Sequence, residues 1–320
     1  MAVRIRVVTD GRAGIENQAL GLAEAVARLR PAEIEVVRVR WRPAFDWLPA
    51  DLKHPAMLSA GHEALAQLWP DIWIGAGRAS LPLSLAAKRA GKALVVQVQD
   101  PRLEPGRFDL VVAPAHDGLS GPNVISITGS PHRVTPERTA AAAEAMKARL
   151  SLLPRPRVAV LVGGRSRAFD LTPEHAARLG QRVAAAVGAA GGSVLVTFSR
   201  RTPDGAKSAF EAELKGLPNW VWDGTGENPL FAFLGTADHL LVTEDSANMA
   251  AEAASTGKPV HVMPMTRIGR AEKFERLHAD LRARGAARPF SGELEPWSYA
   301  PLRETERAAE AVVSRLRAKR

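Results

Sequence analysis

Short apolar runs rich in β-branched residues recur through the first half of the chain, at Val3 to Val8, Ile34 to Val39, Ile72 to Ile74, Ala93 to Val98, Leu110 to Val112 and Val124 to Ile127. Most are followed by glycine, proline or aspartate and then by an Ala/Leu-rich stretch. A repeating strand, loop and helix predicts a mostly parallel sheet covered by helices. The first helix shows the period well, because Ala19, Leu22, Ala23, Val26 and Leu29 share one face.

A long Ala-rich helix is predicted from about Pro136 to Leu150, opened by the cap signature Thr135-Pro136-Glu137. Leu153-Pro154-Arg155-Pro156 cannot continue that helix, so a domain boundary is expected near residues 151–156. The pattern then restarts with Val158 to Val162, Val194 to Phe198, Trp220 to Trp222, His239 to Val242 and Val260 to Met263. The expected fold class is α/β, with two Rossmann-like domains whose mostly parallel sheets face a cleft. The expected division is 1–152, 153–300 and a C-terminal amphipathic helix in 301–320, free to pack back on the first domain. Ala309, Val312, Val313 and Leu316 line one face of that last helix, which also carries six basic residues.

Length and composition agree with two folded domains. The 320 residues are 46% hydrophobic and 24% charged, near globular norms despite 26 glycines and 23 prolines. A formal charge of +9, mostly from arginine, favours anionic partners: a phosphorylated nucleotide, an acidic membrane surface or nucleic acid. Aromatics at 5%, with no dense basic block interleaved with them, place nucleic acid last. The absence of cysteine removes disulfides, thiol nucleophiles and cysteine zinc sites. No His/Asp/Glu set has metal-ligand spacing, so no metal and no bound cofactor are expected. Without a signal-peptide pattern in the first residues or an apolar run of membrane-spanning length, the expected location is cytoplasmic, with peripheral contact at the inner membrane face.

The most informative segment runs from Val242 to Pro259. It reads as a strand end, the polar turn Thr243-Glu244-Asp245-Ser246 with N-cap candidates, a short helix carrying Asn248 and Glu252, and a Gly257-Lys258-Pro259 stop. A helix N-terminus at the carboxyl end of a parallel strand suits phosphate, and Glu252 has a carboxylate able to accept from a ribose diol. Gly163, Gly164 and Arg165 follow the first strand of this half, offering close amides and charge to a phosphate. Ser199, Arg200 and Arg201 end the next strand. Each feature also has a plain structural explanation: a capped helix, a tight turn, solvated arginines.

The spacing Glu252, Gly257, Pro259 resembles the donor-nucleotide signature of glycosyltransferase-B enzymes, among them the N-acetylglucosaminyltransferases that make lipid II. Glu252 there matches the ribose-binding glutamate. The ordered set Asp10-Gly11-Arg12-Ala13-Gly14-Ile15-Glu16-Asn17-Gln18, Gly77-Arg78, Asp100-Pro101-Arg102, Pro114-Ala115-His116-Asp117 and Thr243 to Pro259 resembles, over nearly the whole chain, the mitochondrial fission (elongated-mitochondria) family, in a bacterial member. By that resemblance the loop with Gly11, Arg12, Gly14, Asn17 and Gln18, together with Arg78, lies on the acceptor side. The lipid II-forming enzymes place a histidine in this loop, where this chain has Ile15 and Glu16. The candidate bases are therefore Glu16, Asp10 and the His116-Asp117 pair.

The resemblance implies transfer of a sugar from a nucleoside-diphosphate sugar, the expected substrate, to an envelope or lipid-linked acceptor. A nucleotide-sugar epimerase of the same fold and a non-catalytic scaffold are the alternatives. The sequence leaves the oligomeric state open.

Overall fold

The computed structural model describes residues 2–65 and 68–319. The chain forms two compact units, one built from the residues up to Arg133 together with those from Arg303 on, the other from Val134–Leu302.

The first unit contains a six-stranded parallel sheet of β1 (Val3–Thr9), β2 (Ala32–Arg38), β3 (Ile72–Ala76), β4 (Leu94–Val98), β5 (Leu110–Pro114) and β6 (Val124–Ile127), in the order β2-β1-β3-β4-β5-β6. β3, β4 and β5 are buried along their whole length, as a sheet covered on both faces requires. Against one face, Val3, Ile5, Val7, Ile72, Ile74, Val96 and Val112 meet Ala19, Leu22, Ala23 and Val26 of helix α1 (Ala13–Leu29). The other face sets Val8, Trp73, Val95 and Val111 against Leu81, Leu83 and Leu85 around helix α2 (Leu81–Ala90).

The second unit repeats the plan. Its parallel strands are β7 (Arg157–Val162), β8 (Ser193–Phe198), β9 (Asn219–Val221), β10 (His239–Thr243), β11 (Val260–Met263) and β12 (Ala287–Pro289), in the order β9-β8-β7-β10-β11-β12. Alternate residues of β7 serve opposite cores: Val158, Val160 and Val162 pack on one side, Ala159 and Leu161 on the other.

The division differs from the one the prolines suggest. Helix α3 (Pro136–Ala145), N-capped by Thr135 Oγ1 on Arg138 N at 3.2 Å, stops at Met146, and a separate helical turn covers Lys147–Leu150. Both belong to the second unit, where Ala142, Met146 and Leu150 join Phe233 and Trp220 in one core and the Arg149 guanidinium lies 3.9 Å from the Trp220 ring. The boundary therefore falls at 133/134 instead of 152/153. Pro154 and Pro156 separate a helix from a strand inside one unit.

After the second unit, α4 (Glu304–Lys319) returns to the first, with Ala308, Ala309, Val312, Val313 and Leu316 in the core beside α1. Its start is pinned by buried contacts: Glu304 Oε2 accepts from Thr128 N at 2.9 Å, and Thr305 Oγ1 accepts from His132 N at 3.1 Å.

Candidate functional site

In the second unit the strand order reverses between β7 and β10, since the chain leaves β7 toward β8 and later comes back to β10 on β7's other side. Open α/β sheets bind ligands at such switch points, beyond the carboxyl ends of the strands. Gly163-Gly164 leaves β7 here, Ser199 to Thr202 leaves β8, and Glu244-Asp245-Ser246 leaves β10.

Asp245 ties these turns together. It is 2% exposed and accepts from Thr243 Oγ1 at 2.7 Å, from Gly164 N at 3.0 Å and from Arg201 Nη2 at 2.9 Å. Gly163 N donates to Thr243 Oγ1 at 2.7 Å, and Thr202 Oγ1 donates to the Gly163 carbonyl at 2.6 Å. The two glycines are required by this packing: a Cβ on Gly163 would lie 1.9 Å from Asp245 Oδ1, and one on Gly164 would lie 2.2 Å from the Arg201 carbonyl. Both loop amides thus have acceptors within the protein. The expectation that Gly163 and Gly164 offer their amides to a phosphate is corrected accordingly, and Asp245 is an internal anchor. Glu244 is likewise engaged: its Oε1 accepts from Met265 N at 2.6 Å, and its carbonyl oxygen is 2.9 Å from His278 Nε2. Ser199 Oγ accepts from Arg201 N at 3.0 Å and closes its turn.

The anchored turn launches helix α5 (Ala247–Ala254), and Ser246 Oγ caps it by accepting from Met249 N at 3.3 Å. Asn248 lies in its first turn, and Glu252 is half-buried further along. Among the described residues no group pairs with the Glu252 carboxylate, and burial pushes its pKa up to about 7. Two cations at the site keep free capacity. Arg200 is exposed with no partner among the described residues, and Arg165 is exposed with only a 3.4 Å contact to Asp170.

The first unit gathers its motifs at the carboxyl edge of its own sheet, after β1, β3, β4 and β5. Gly11 turns the chain with φ +77, while Gly14, Glu16, Asn17 and Gln18 form the first turns of α1. Asp10 pairs with Arg12 at 2.8 Å, and Glu16 takes Arg38 through two bonds of 2.8 Å each. The Arg38 guanidinium holds the Glu16 carboxyl below its usual range. Gln18 Oε1 accepts from Gln99 Nε2 at 3.0 Å. His116 is buried, with Nε2 3.9 Å from Asp117 Oδ1, too long for a hydrogen bond, so the neighbouring side chains do not form a dyad. Arg78 is exposed at the end of β3.

Thr243 is expected only as part of the polar turn and Lys53 is not singled out, yet each proves central to its own region. Thr243 could have been found as the hydroxyl that closes the Thr-Glu-Asp-Ser turn. Lys53 sits in an irregular segment without periodicity and gives no such signal. Among the described residues no three His, Asp or Glu side chains gather as a metal site, and no helix is long and apolar enough to cross a membrane.

A protein-family model for mitochondrial fission ELM1 matches residues 13–316. The chain belongs to this family. The mitochondrial fission protein ELM1 of Arabidopsis thaliana is 29% identical over 301 residues, 85% of this chain and 69% of that protein. A second relative of this ELM1-family chain comes from a Nocardioides species. It is the UDP-N-acetylglucosamine–N-acetylmuramyl-(pentapeptide) pyrophosphoryl-undecaprenol N-acetylglucosamine transferase, 28% identical over 88% of this chain and 83% of the transferase. Os79 of O. sativa, solved in complex with UDP, superposes with a TM-score of 0.55 at 11% identity, over 97% of this chain and 94% of its own. The fold of this family member is of the glycosyltransferase-B type.

Proposed function

We propose that the chain binds a nucleoside-diphosphate sugar on its second unit and transfers the sugar to an envelope or lipid-linked acceptor held by its first. The observation that carries this reading is Glu252: a half-buried carboxylate without a partner among the described residues, on a helix whose start is fixed at the switch point. A carboxylate removed from water is costly unless something donates to it, and the vicinal hydroxyls of a ribose supply two donors. Arg200 and Arg165 have capacity for the diphosphate, whose charge grows as the leaving group departs. The Nocardioides transferase and the UDP complex of Os79 support the choice of ligand.

In the reaction the bond from the sugar's anomeric carbon to the diphosphate breaks, and a bond to the acceptor oxygen forms. The acceptor proton passes to a base, and the nucleoside diphosphate leaves. Glu16, with its pKa lowered by Arg38, takes a proton less readily than an ordinary carboxylate, so Glu16→Gln is a test of loop geometry more than of base catalysis.

Titration calorimetry with uridine, guanosine, cytidine and adenosine diphosphate sugars should identify one that binds. Glu252→Ala should weaken it roughly 10- to 100-fold, the worth of a hydrogen bond to a charged group. Equal affinity in mutant and parent would remove the ribose role. A non-catalytic interaction role is the second reading, favoured by kinship with a mitochondrial fission protein. Tight nucleotide binding without turnover on any acceptor would support it.

A further inference from the structure

The first unit holds a cavity of about 490 Å³ at the carboxyl ends of β3 and β4, closed on one side by the irregular segment that carries Leu48 and Lys53. Lys53 is a buried cation. Its side chain is 3% exposed, it stands 5.0 Å from the centre of the Trp41 ring, and Nζ donates to the Asp46 carbonyl at 2.8 Å. The Asp46 carboxylate lies 3.5 Å away but is itself 75% exposed, so it screens the ammonium only weakly. Arg78 lines the same cavity, and its side chain has no hydrogen bond or ion pair among the described residues. Burial, and to a smaller extent the charge of Arg78, pull the Lys53 ammonium below its ordinary value.

Two like charges on one cavity repel, more strongly where water is excluded, and an anion between them turns that repulsion into attraction to a common partner. The third cation of the lining, Arg102, already has Asp100 at 3.0 Å. The wall beneath is also strained. Gln99 and Arg102, neither a glycine, have φ of +73 and +55. Such conformations persist where the surroundings hold them and are concentrated at binding sites. Leu48, Leu81 and Leu103 make much of the remaining lining apolar.

We propose that this cavity binds an organic oxyanion, a carboxylate or phosphate monoester on an apolar body, with Lys53 and Arg78 on the charged end and Leu48, Leu81 and Leu103 around the body. The volume lies within the range of small-ligand sites. The inference rests on the transferase reading only in calling this ligand the acceptor; its binding needs no nucleotide.

The test is calorimetry on the full chain with hexyl phosphate, hexanoate, hexanol and inorganic phosphate, repeated with Lys53→Met and Arg78→Gln. At least one of the two amphiphilic anions should bind about tenfold or more tighter than hexanol or inorganic phosphate, and the preferred one identifies the charged group. Each variant should lose about tenfold for that anion. Arg78 is exposed, so its substitution keeps the test valid even if Lys53→Met folds poorly. The proposal fails if neither amphiphile binds the parent at about 10 mM. It fails equally if Arg78→Gln binds as the parent does, or if inorganic phosphate binds as well as the hexyl ester. UDP is titrated in parallel: anion binding without any nucleotide binding would sink the nucleotide reading and leave this one standing.

Discussion

Glu252 ionises in the folded chain only at about 7, against 4.5 in ordinary surroundings, because burial disfavours its charged form. An acid whose folded pKa is raised is charged more readily once the chain unfolds. Its ionisation therefore works against the fold: the effect is absent below 4.5, grows between 4.5 and 7, and is complete above, at up to about 3 kcal/mol. Glu252→Gln, which cannot ionise, should melt higher than the parent at pH 8 and at nearly the same temperature at pH 4. Scanning calorimetry at the two pH values checks this, and equal melting at pH 8 would mean that the carboxylate is well solvated. The same substitution should weaken nucleotide binding, so one residue would trade stability for a ligand. Residue types and spacing in the sequence single out Glu252 and Asp245 alike, but they do not tell which carboxylate is already occupied. That difference depends on Thr243 and Arg201, one two residues before Asp245 and the other on a different strand's turn, and only folding brings them together.

At the scale of elements, strands buried on both faces were legible because nearly every residue in them is apolar, as in β3 to β5, where Gln97 is the one polar side chain. β12 was not, since its three residues include Arg288 and Pro289 at the sheet's edge. Helix α3 was legible as a helix but not by ownership: a stripe of Ala142, Met146 and Leu150 says that a core exists without saying which one. The closing helix α4 had a legible apolar face, and the structure supplies its partner, α1. Removing residues 303–320 takes Val312, Val313 and Leu316 out of the first unit's core and should cost roughly 1.5 to 3 kcal/mol for each, enough to abolish cooperative folding of the first unit. Hydrogen exchange should then show β1 to β6 unprotected and β7 to β12 still protected. Retained protection in β1 would show that the first sheet stands without the helix.

At the scale of the whole molecule, the second unit is one unbroken stretch while the first is made of two pieces. A fragment of residues 134–302 should therefore fold alone, melt in one transition and bind whatever nucleotide the full chain binds. A fragment starting at 153 lacks Met146 and Leu150 and should melt several degrees lower, given the packing of these residues with Trp220 and Phe233. Identical melting of the two fragments would put α3 outside the second unit's core.

The two-piece build also sets a schedule. A ribosome releases β1 to β6 first, then all of the second unit, and the helix that covers β4 to β6 comes last. During synthesis the earliest sheet waits with Val96, Val112 and Ile127 of β4 to β6 uncovered on one side while its successor matures. The part of the molecule born first is the last to be finished, and for that interval it is the part most in need of a chaperone.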